Sequence, residues 1–183
     1  ERVRHVEKEN WIAKKLAKFP YPTMAKVDGP AAGAGAVLAM ACDIQLANED
    51  ATFSIAFRNV GLNIDGGASG LLPRVVGNNI AKELAFTGKL IDPERAEELG
   101  IYNHVYPNGK FEGRFQEMAD EIVNGPTLAI RYSKKLIDES HTKTLEQALE
   151  DEALAQGSIM PSHDHREGVE AFLEDREPEF RGK

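Results

Sequence analysis

Two glycine-bearing segments of this 183-residue chain combine residue types that could do chemistry. The first is Val27-Asp28-Gly29-Pro30-Ala31-Ala32-Gly33-Ala34-Gly35-Ala36. A strand pattern runs into a tight turn of tiny residues, and an apolar helix follows at once. Side chains this small let a ligand approach the main chain closely. Free N–H groups at a helix start point outward with a partial positive charge, so such a turn can hold negative charge developing on an oxygen. The same residues are also what close packing of a helix on a strand requires. The second segment is Gly61-Leu62-Asn63-Ile64-Asp65-Gly66-Gly67. Its Asp65 is either the N-cap of the helix that follows or an acid–base group. The two roles compete, because a capping carboxylate is held as an anion and is poorly placed to accept a proton.

Other motifs fall short of a site. Gly33-x-Gly35 follows a strand and opens a helix, but Leu38 stands where the third glycine of a dinucleotide-binding loop belongs. Ser69 lacks the G-x-S-x-G spacing of a hydrolase elbow. His163-Asp164-His165 has no second ligand cluster at matching spacing and reads as a solvated helix start, so no metal is expected. His5, His104 and His141 are isolated, and Glu94, Glu97 and Glu98 read as the charged face of a helix. Cys42 is the one cysteine, so no internal disulfide can form; its apolar surroundings mark it as a small core residue.

The elements that must position these residues alternate early and become helical late. Glu1 to Phe19 predicts a helix with Val3, Val6, Trp11, Ile12, Leu16 and Phe19 on its inward face, stopped by Pro20 and Pro22. Thr23 to Val27 predicts a strand, Asp28-Gly29-Pro30 a turn, and Ala31 to Ala41 a helix packed on all sides. Strands follow at Ile44 to Ala47 and Thr52 to Ile55. A loop from Gly61 to Gly70 then leads into helix over Leu71 to Val76, broken at Gly77 and resumed over Ile80 to Phe86. Asp92-Pro93 starts a helix that Gly100 ends. After a strand over Tyr102 to Tyr106 come helices at Phe111 to Val123, Pro126 to Asp138, Thr144 to Gln156 and Ser162 to Asp175. This is an α/β pattern with a helical C-terminal extension.

Composition narrows the function classes. Thirty acidic against 22 basic residues give a net charge of −8, which argues against nucleic acid as a partner, since phosphate binding needs a basic face. No apolar run reaches the roughly 18 residues of a membrane span. The charged stretch Glu1 to Lys8 is followed by no signal-peptide core. The expectation is a cytoplasmic protein with no membrane partner.

From Thr23 through Tyr106 the chain resembles the enoyl-CoA hydratase/isomerase, or crotonase, family. The resemblance is carried by MAKVDGPAAGAGAVLAMACDIQLANEDATFS, VGLNIDGGASGLLPRVVG and FTGKLIDPERAEELGIYNHVYP, and at the C-terminus by DHREGVEAFLEDREPEF. AFRNVGLNIDGGASGLLPRVVG is most similar to members that isomerise the ring-epoxide thioester of phenylacetate breakdown. The resemblance implies an α/β superhelix of ββα units over residues 1–106. It implies a helical region over 107–183 for oligomerisation, as a homotrimer or dimer of trimers, and for closing the coenzyme A site. It also implies an N-terminal portion ahead of Glu1, carrying strands, an adenine-binding loop and a second oxyanion N–H. The substrate would be an acyl-CoA thioester, with coenzyme A entering as part of the substrate and no separate cofactor.

Within that resemblance the Ala34 N–H is one of two donors that hold the thioester oxygen as an enolate. Ala32, Phe172 and Arg176 match positions that contact coenzyme A, the last two often reaching that of a neighbouring subunit. The two glutamates that handle water and proton in the family's hydratases correspond to Val37 and Phe57, and neither can transfer a proton. Asp65 matches a loop position where members with other chemistries carry an aspartate. The implied activity is therefore double-bond isomerisation with Asp65 as proton carrier. Hydration directed by Asp65 alone, or acyl-CoA binding without catalysis, are the alternatives.

Overall fold

The computed structural model describes residues 2–183, with side chains described from Asn10 onward. The chain forms two compact units. One takes the chain up to Phe19 and Thr23–Gln116, the other Pro20–Pro22 and Glu117–Lys183.

The first unit begins with α1 (Arg2–Ala17), then β1 (Met24–Val27), β2 (Pro30–Ala32), α2 (Ala34–Met40), β3 (Ile44–Asn48) and β4 (Thr52–Ser54). A 3₁₀ turn at Ala56–Val60, α3 (Ala68–Thr87), α4 (Pro93–Glu98), β5 (His104–Tyr106) and the start of α5 (Asn108–Val123) complete it. Strands β1, β3 and β5 form a parallel sheet in that order, with Met24 opposite Ile44 and Leu46 opposite His104. Strands β2 and β4 form a second parallel pair with Ala32 opposite Ser54. Strand β3 is almost wholly buried, as a strand covered on both faces must be. Leu46, Phe53, Ile55 and Tyr102 are the largest sealed side chains of this unit, and the Tyr102 hydroxyl donates to the Thr52 carbonyl at 3.1 Å. Burial pushes that phenol up to about 12.

Three expectations within the first unit, up to α3, need correction. Ala31 and Ala32 are strand, not helix, because Gly33 at φ 53° and ψ −119° separates them from α2. Helix α3 begins at Ala68, three residues before the expected Leu71. Gly67 at φ 101° serves as its N-cap residue, and the Gly67 carbonyl accepts the N–H groups of Gly70 and Leu71 at 2.9 Å each. The inward face of α1 is the third. Trp11, Ile12 and Phe19 are about half exposed, while Ala13 is buried and Leu16 and Ala17 pack on the core. Small side chains let α1 sit close on α2, and the bulky residues take the outer arc. Val3 and Val6 lie outside the described side chains.

Local capping chemistry fixed other boundaries as expected. Asp92 accepts the Arg95 N–H at 2.7 Å with Pro93 at the first helical position, and Gly100 takes φ 75°. Gly77 keeps non-helical angles inside α3.

The second unit holds the remainder of α5, then α6 (Thr127–Ser140), α7 (Leu145–Ile159) and α8 (His163–Glu174). Thr144 and Gln147 form a capping box at the start of α7, and Ser162 caps α8 through the His165 N–H. The expected solvated start of α8 is corrected: Asp164 is only 4% exposed. After α8 the chain turns at Asp175, whose φ is 54°, and folds back along the helix. The Asp164 carboxylate accepts the N–H groups of Arg181 and Gly182 at 2.8 Å each, and its own N–H donates to the Lys183 carbonyl at 3.1 Å. Phe180 lies over Gly168, where an added Cβ would stand 3.5 Å from its ring. Arg176 clamps Glu167 with two bonds at 2.6 and 3.1 Å and reaches Glu174 at 2.7 Å. Those Arg176 bonds, helped by the Glu179 N–H, push Glu167 down to about 2. Among the described residues no helix is long and apolar enough to cross a membrane.

Burial alone would raise the Asp164 carboxyl, but the Arg181 N–H, His163 and the Gly182 N–H together hold it below the usual aspartate range. A carboxyl with a lowered folded value stabilises the fold above its unfolded value of about 4 and loses that contribution as pH falls through the folded one. Asp164→Ala is therefore expected to cost on the order of 2–3 kcal/mol in urea unfolding at pH 7. The gap from wild type should close only below about pH 4.

Candidate active site

The turn between β2 and α2 leaves its main chain open. The Gly33 N–H donates to the Ser54 carbonyl at 2.9 Å, closing the β2–β4 ladder, and the Gly33 carbonyl accepts the Val37 N–H at 3.1 Å, starting α2. Ala34, Gly35 and Ala36 follow as the first helical residues, whose N–H groups have no acceptor within the helix. Among the described residues no side chain caps them. Ala36 faces the core, whereas Ala32, Ala34 and Gly35 are exposed. A Cβ added at Gly35 would meet nothing within 4 Å, so no neighbour in the fold demands its small size. This weighs against close packing as the reason for the small-residue turn, and an exposed helix start of this kind is able to hold negative charge on an oxygen. A cavity of about 530 Å³ runs along β1 and the Asp28–Ala31 turn and reaches Gly35 and Cys42. Cys42 is half-buried on its wall, with its sulfur 3.6 Å from the Leu38 carbonyl.

The Asp65 loop packs against the first turn of α2. Gly66, at φ 64°, sits so close to Val37 that a Cβ there would stand 2.9 Å from Val37 Cγ1. Only glycine takes this left-handed conformation without strain at such a contact. Both ends of the Asp65–Gly66 peptide group are bonded: its carbonyl accepts the Ala68 N–H at 2.9 Å, and its N–H donates to Asn10 Oδ1 at 2.9 Å. The capping alternative for Asp65 is set aside, because Gly67 is the N-cap residue of α3 and no side chain bonds there. The Asp65 side chain is half-buried, and among the described residues its carboxylate takes no hydrogen bond.

Val37 and Phe57 are core residues, 1% and 9% exposed, in the same hydrophobic cluster. In the second unit Phe172 is 85% exposed, and Arg176 is held by Glu167 and Glu174. Among the described residues no group of three or more His, Cys, Asp or Glu side chains is arranged to hold a metal. The residue that sequence reasoning missed is Asn10. Its signal was present: it precedes Ala13 by three residues and Ala17 by seven, so it is the polar member of an inward helical face.

A family model described as enoyl-CoA hydratase/isomerase matches residues 4–183. The 1,2-epoxyphenylacetyl-CoA isomerase of Escherichia coli is 39% identical over 174 residues, 95% of this chain and 66% of that protein. An enoyl-CoA isomerase/hydratase of Mycosarcoma maydis is 36% identical, with 94% of this chain and 63% of the relative covered. The chain thus spans about two thirds of the length of the curated relatives it matches. The crystal structure of an enoyl-CoA hydratase from Bacillus anthracis superposes with a TM-score of 0.95 at 31% identity, covering 100% of this chain and 71% of that one. An open helix start, a carboxylate-bearing glycine loop seated on it and agreement along the whole chain lead to one assignment: this protein belongs to the enoyl-CoA hydratase/isomerase, or crotonase, family.

Proposed function

We propose that the protein catalyses double-bond isomerisation of an acyl-coenzyme A thioester, with Asp65 as the proton carrier. The observation that carries this reading is the pairing of two facts. Val37 and Phe57 are buried in the core, while the carboxylate of Asp65, on the loop above α2, takes no hydrogen bond among the described residues. A two-glutamate hydration needs groups that neither apolar side chain can supply. One relative is named an isomerase of an epoxyphenylacetyl-CoA and another an enoyl-CoA isomerase/hydratase, which supports isomerisation of a coenzyme A thioester in general.

In this reading the Ala34 N–H polarises the thioester carbonyl. The Asp65 carboxylate removes a proton from the carbon between that carbonyl and the double bond. The electron pair delocalises to a dienolate whose oxygen the N–H holds. The protonated Asp65 then returns the proton two carbons further along, the double bond shifts into conjugation, and no water is added. Ala32, exposed at the end of β2, borders the thioester arm of coenzyme A.

The helical unit supplies assembly. Leu149, Leu154, Val169, Phe172 and Leu173 are exposed, and a groove of about 1050 Å³ opens among α6, α7 and α8. Apolar side chains exposed together around one groove suit an interface, and we assign it to further copies of the chain, in a trimer or a pair of trimers. Phe172 and Arg176 then meet coenzyme A held by a neighbouring copy.

Incubating the complete protein with a 3-enoyl-CoA in deuterated water should give the 2-enoyl isomer with deuterium exchange and no gain of water by mass spectrometry. A gain of one water would sink the isomerase reading. Asp65→Asn should lower turnover by about 10²–10⁴-fold with binding retained. In light scattering the protein should weigh three or six times its monomer, and Leu173→Glu should shift it toward smaller species.

A further inference from the structure

The Asp65–Gly66 peptide group is the hinge on which the carboxylate of Asp65 turns. Its carbonyl is tied to Ala68 at 2.9 Å within the loop itself. Its N–H is tied at 2.9 Å to Asn10 Oδ1, from a helix 56 residues away in sequence. With one end bonded a peptide plane can still rock; with both ends bonded it is fixed. That anchors the main chain on the C-terminal side of the Asp65 Cα, from which the carboxylate projects. Glycines at φ 64° and φ 101° follow immediately, so the chain beyond Asp65 lacks the steric restriction that would hold the plane by itself.

Asn10 has no helix-forming reason to occupy its place. It lies on the inward face of α1 with Ala13 and Ala17, where an apolar residue would be the ordinary choice. A polar side chain set there costs desolvation unless it finds a partner, and the partner it finds is the Gly66 N–H.

We infer that Asn10 is the positioning residue for the reaction: its amide oxygen locks the Asp65–Gly66 peptide plane and so aims the Asp65 carboxylate. This rests on the assignment of Asp65 as proton carrier. Asn10→Leu keeps the side-chain volume and removes the acceptor. Displacing a reacting group by about an ångström costs on the order of 10²-fold in rate, so kcat should fall by about 10–100-fold with KM unchanged. Asn10→Asp retains an acceptor oxygen and should recover most of that turnover. A purely structural role predicts a different outcome, in which thermal stability and active fraction fall and kcat per active site holds. Should the leucine variant fail to fold, Asn10→Ala gives the same readout.

Isomerisation kinetics on a 3-enoyl-CoA for these variants, run beside Asp65→Asn in the complete protein, separate the possible failures. Loss of kcat in Asp65→Asn with wild-type kcat in Asn10→Leu overturns the role of Asn10 and leaves that of Asp65 standing. An equal loss in Asn10→Asp and Asn10→Leu also overturns it, because the acceptor would then not matter. Wild-type kcat in Asp65→Asn overturns the reading of the site and this inference with it.

Discussion

Helix α2 is enclosed on nearly every side: α1, α3, β1 and β2 all pack against it. That enclosure sets the size of what surrounds it. Ala36, Val37, Ala39 and Met40 face inward, Ala13 of α1 approaches from outside, and Gly66 meets Val37 at a distance that leaves no room for a side chain. Because helices approach closely only where side chains are small, the packing and the site are one construction. The same contact that excludes a Cβ at Gly66 brings the Asp65 loop over the first turn of α2, one helical turn from the open N–H of Ala34.

The chemistry proposed for this site takes account of Val37 and Phe57, apolar side chains at positions where the resemblance to the family's hydratases implies carboxylates. Val37 and Phe57 do not point into solvent as idle substitutes; they belong to the sealed cluster and contribute to its stability. A residue so placed is held by packing, so reverting one of them would put a charge into a dry interior. In that proposal proton transfer falls to a side chain of a different element, on a loop whose Asp65–Gly66 peptide group is bonded at both ends and whose carboxylate takes no hydrogen bond among the described residues.

Much of this was legible in the sequence where the governing chemistry is local. Asp92, Thr144 and Ser162 each cap the helix they precede through an N–H three residues on, which is why those helices fell where expected. The small-residue turn and the Asp65 loop were legible for the same reason, through glycine. What escaped depends on partners distant in the chain. Apolar bulk suggested that Trp11 and Ile12 face inward, yet the tight seat on α2 favours alanine there. Asn10 went unremarked and Asp164 was read as part of a solvated helix start; the first accepts the distant Gly66 N–H and the second the N–H groups of Arg181 and Gly182, partners that lie outside their own helices.

The backward fold of the last residues onto α8 has its own consequence for how the sequence can drift. The clasp reads main-chain groups: the N–H of Arg181, the N–H of Gly182 and the carbonyl of Lys183. The side chains at 181 and 183 are exposed and take no part in it, so their identities are free to change. Proline is excluded at 181 and 182 for want of an N–H, and residue 182 is further restricted by its φ of 72°. Variation among descendants of this chain should therefore be wide in charge and size at 181 and 183, and narrow at Asp164.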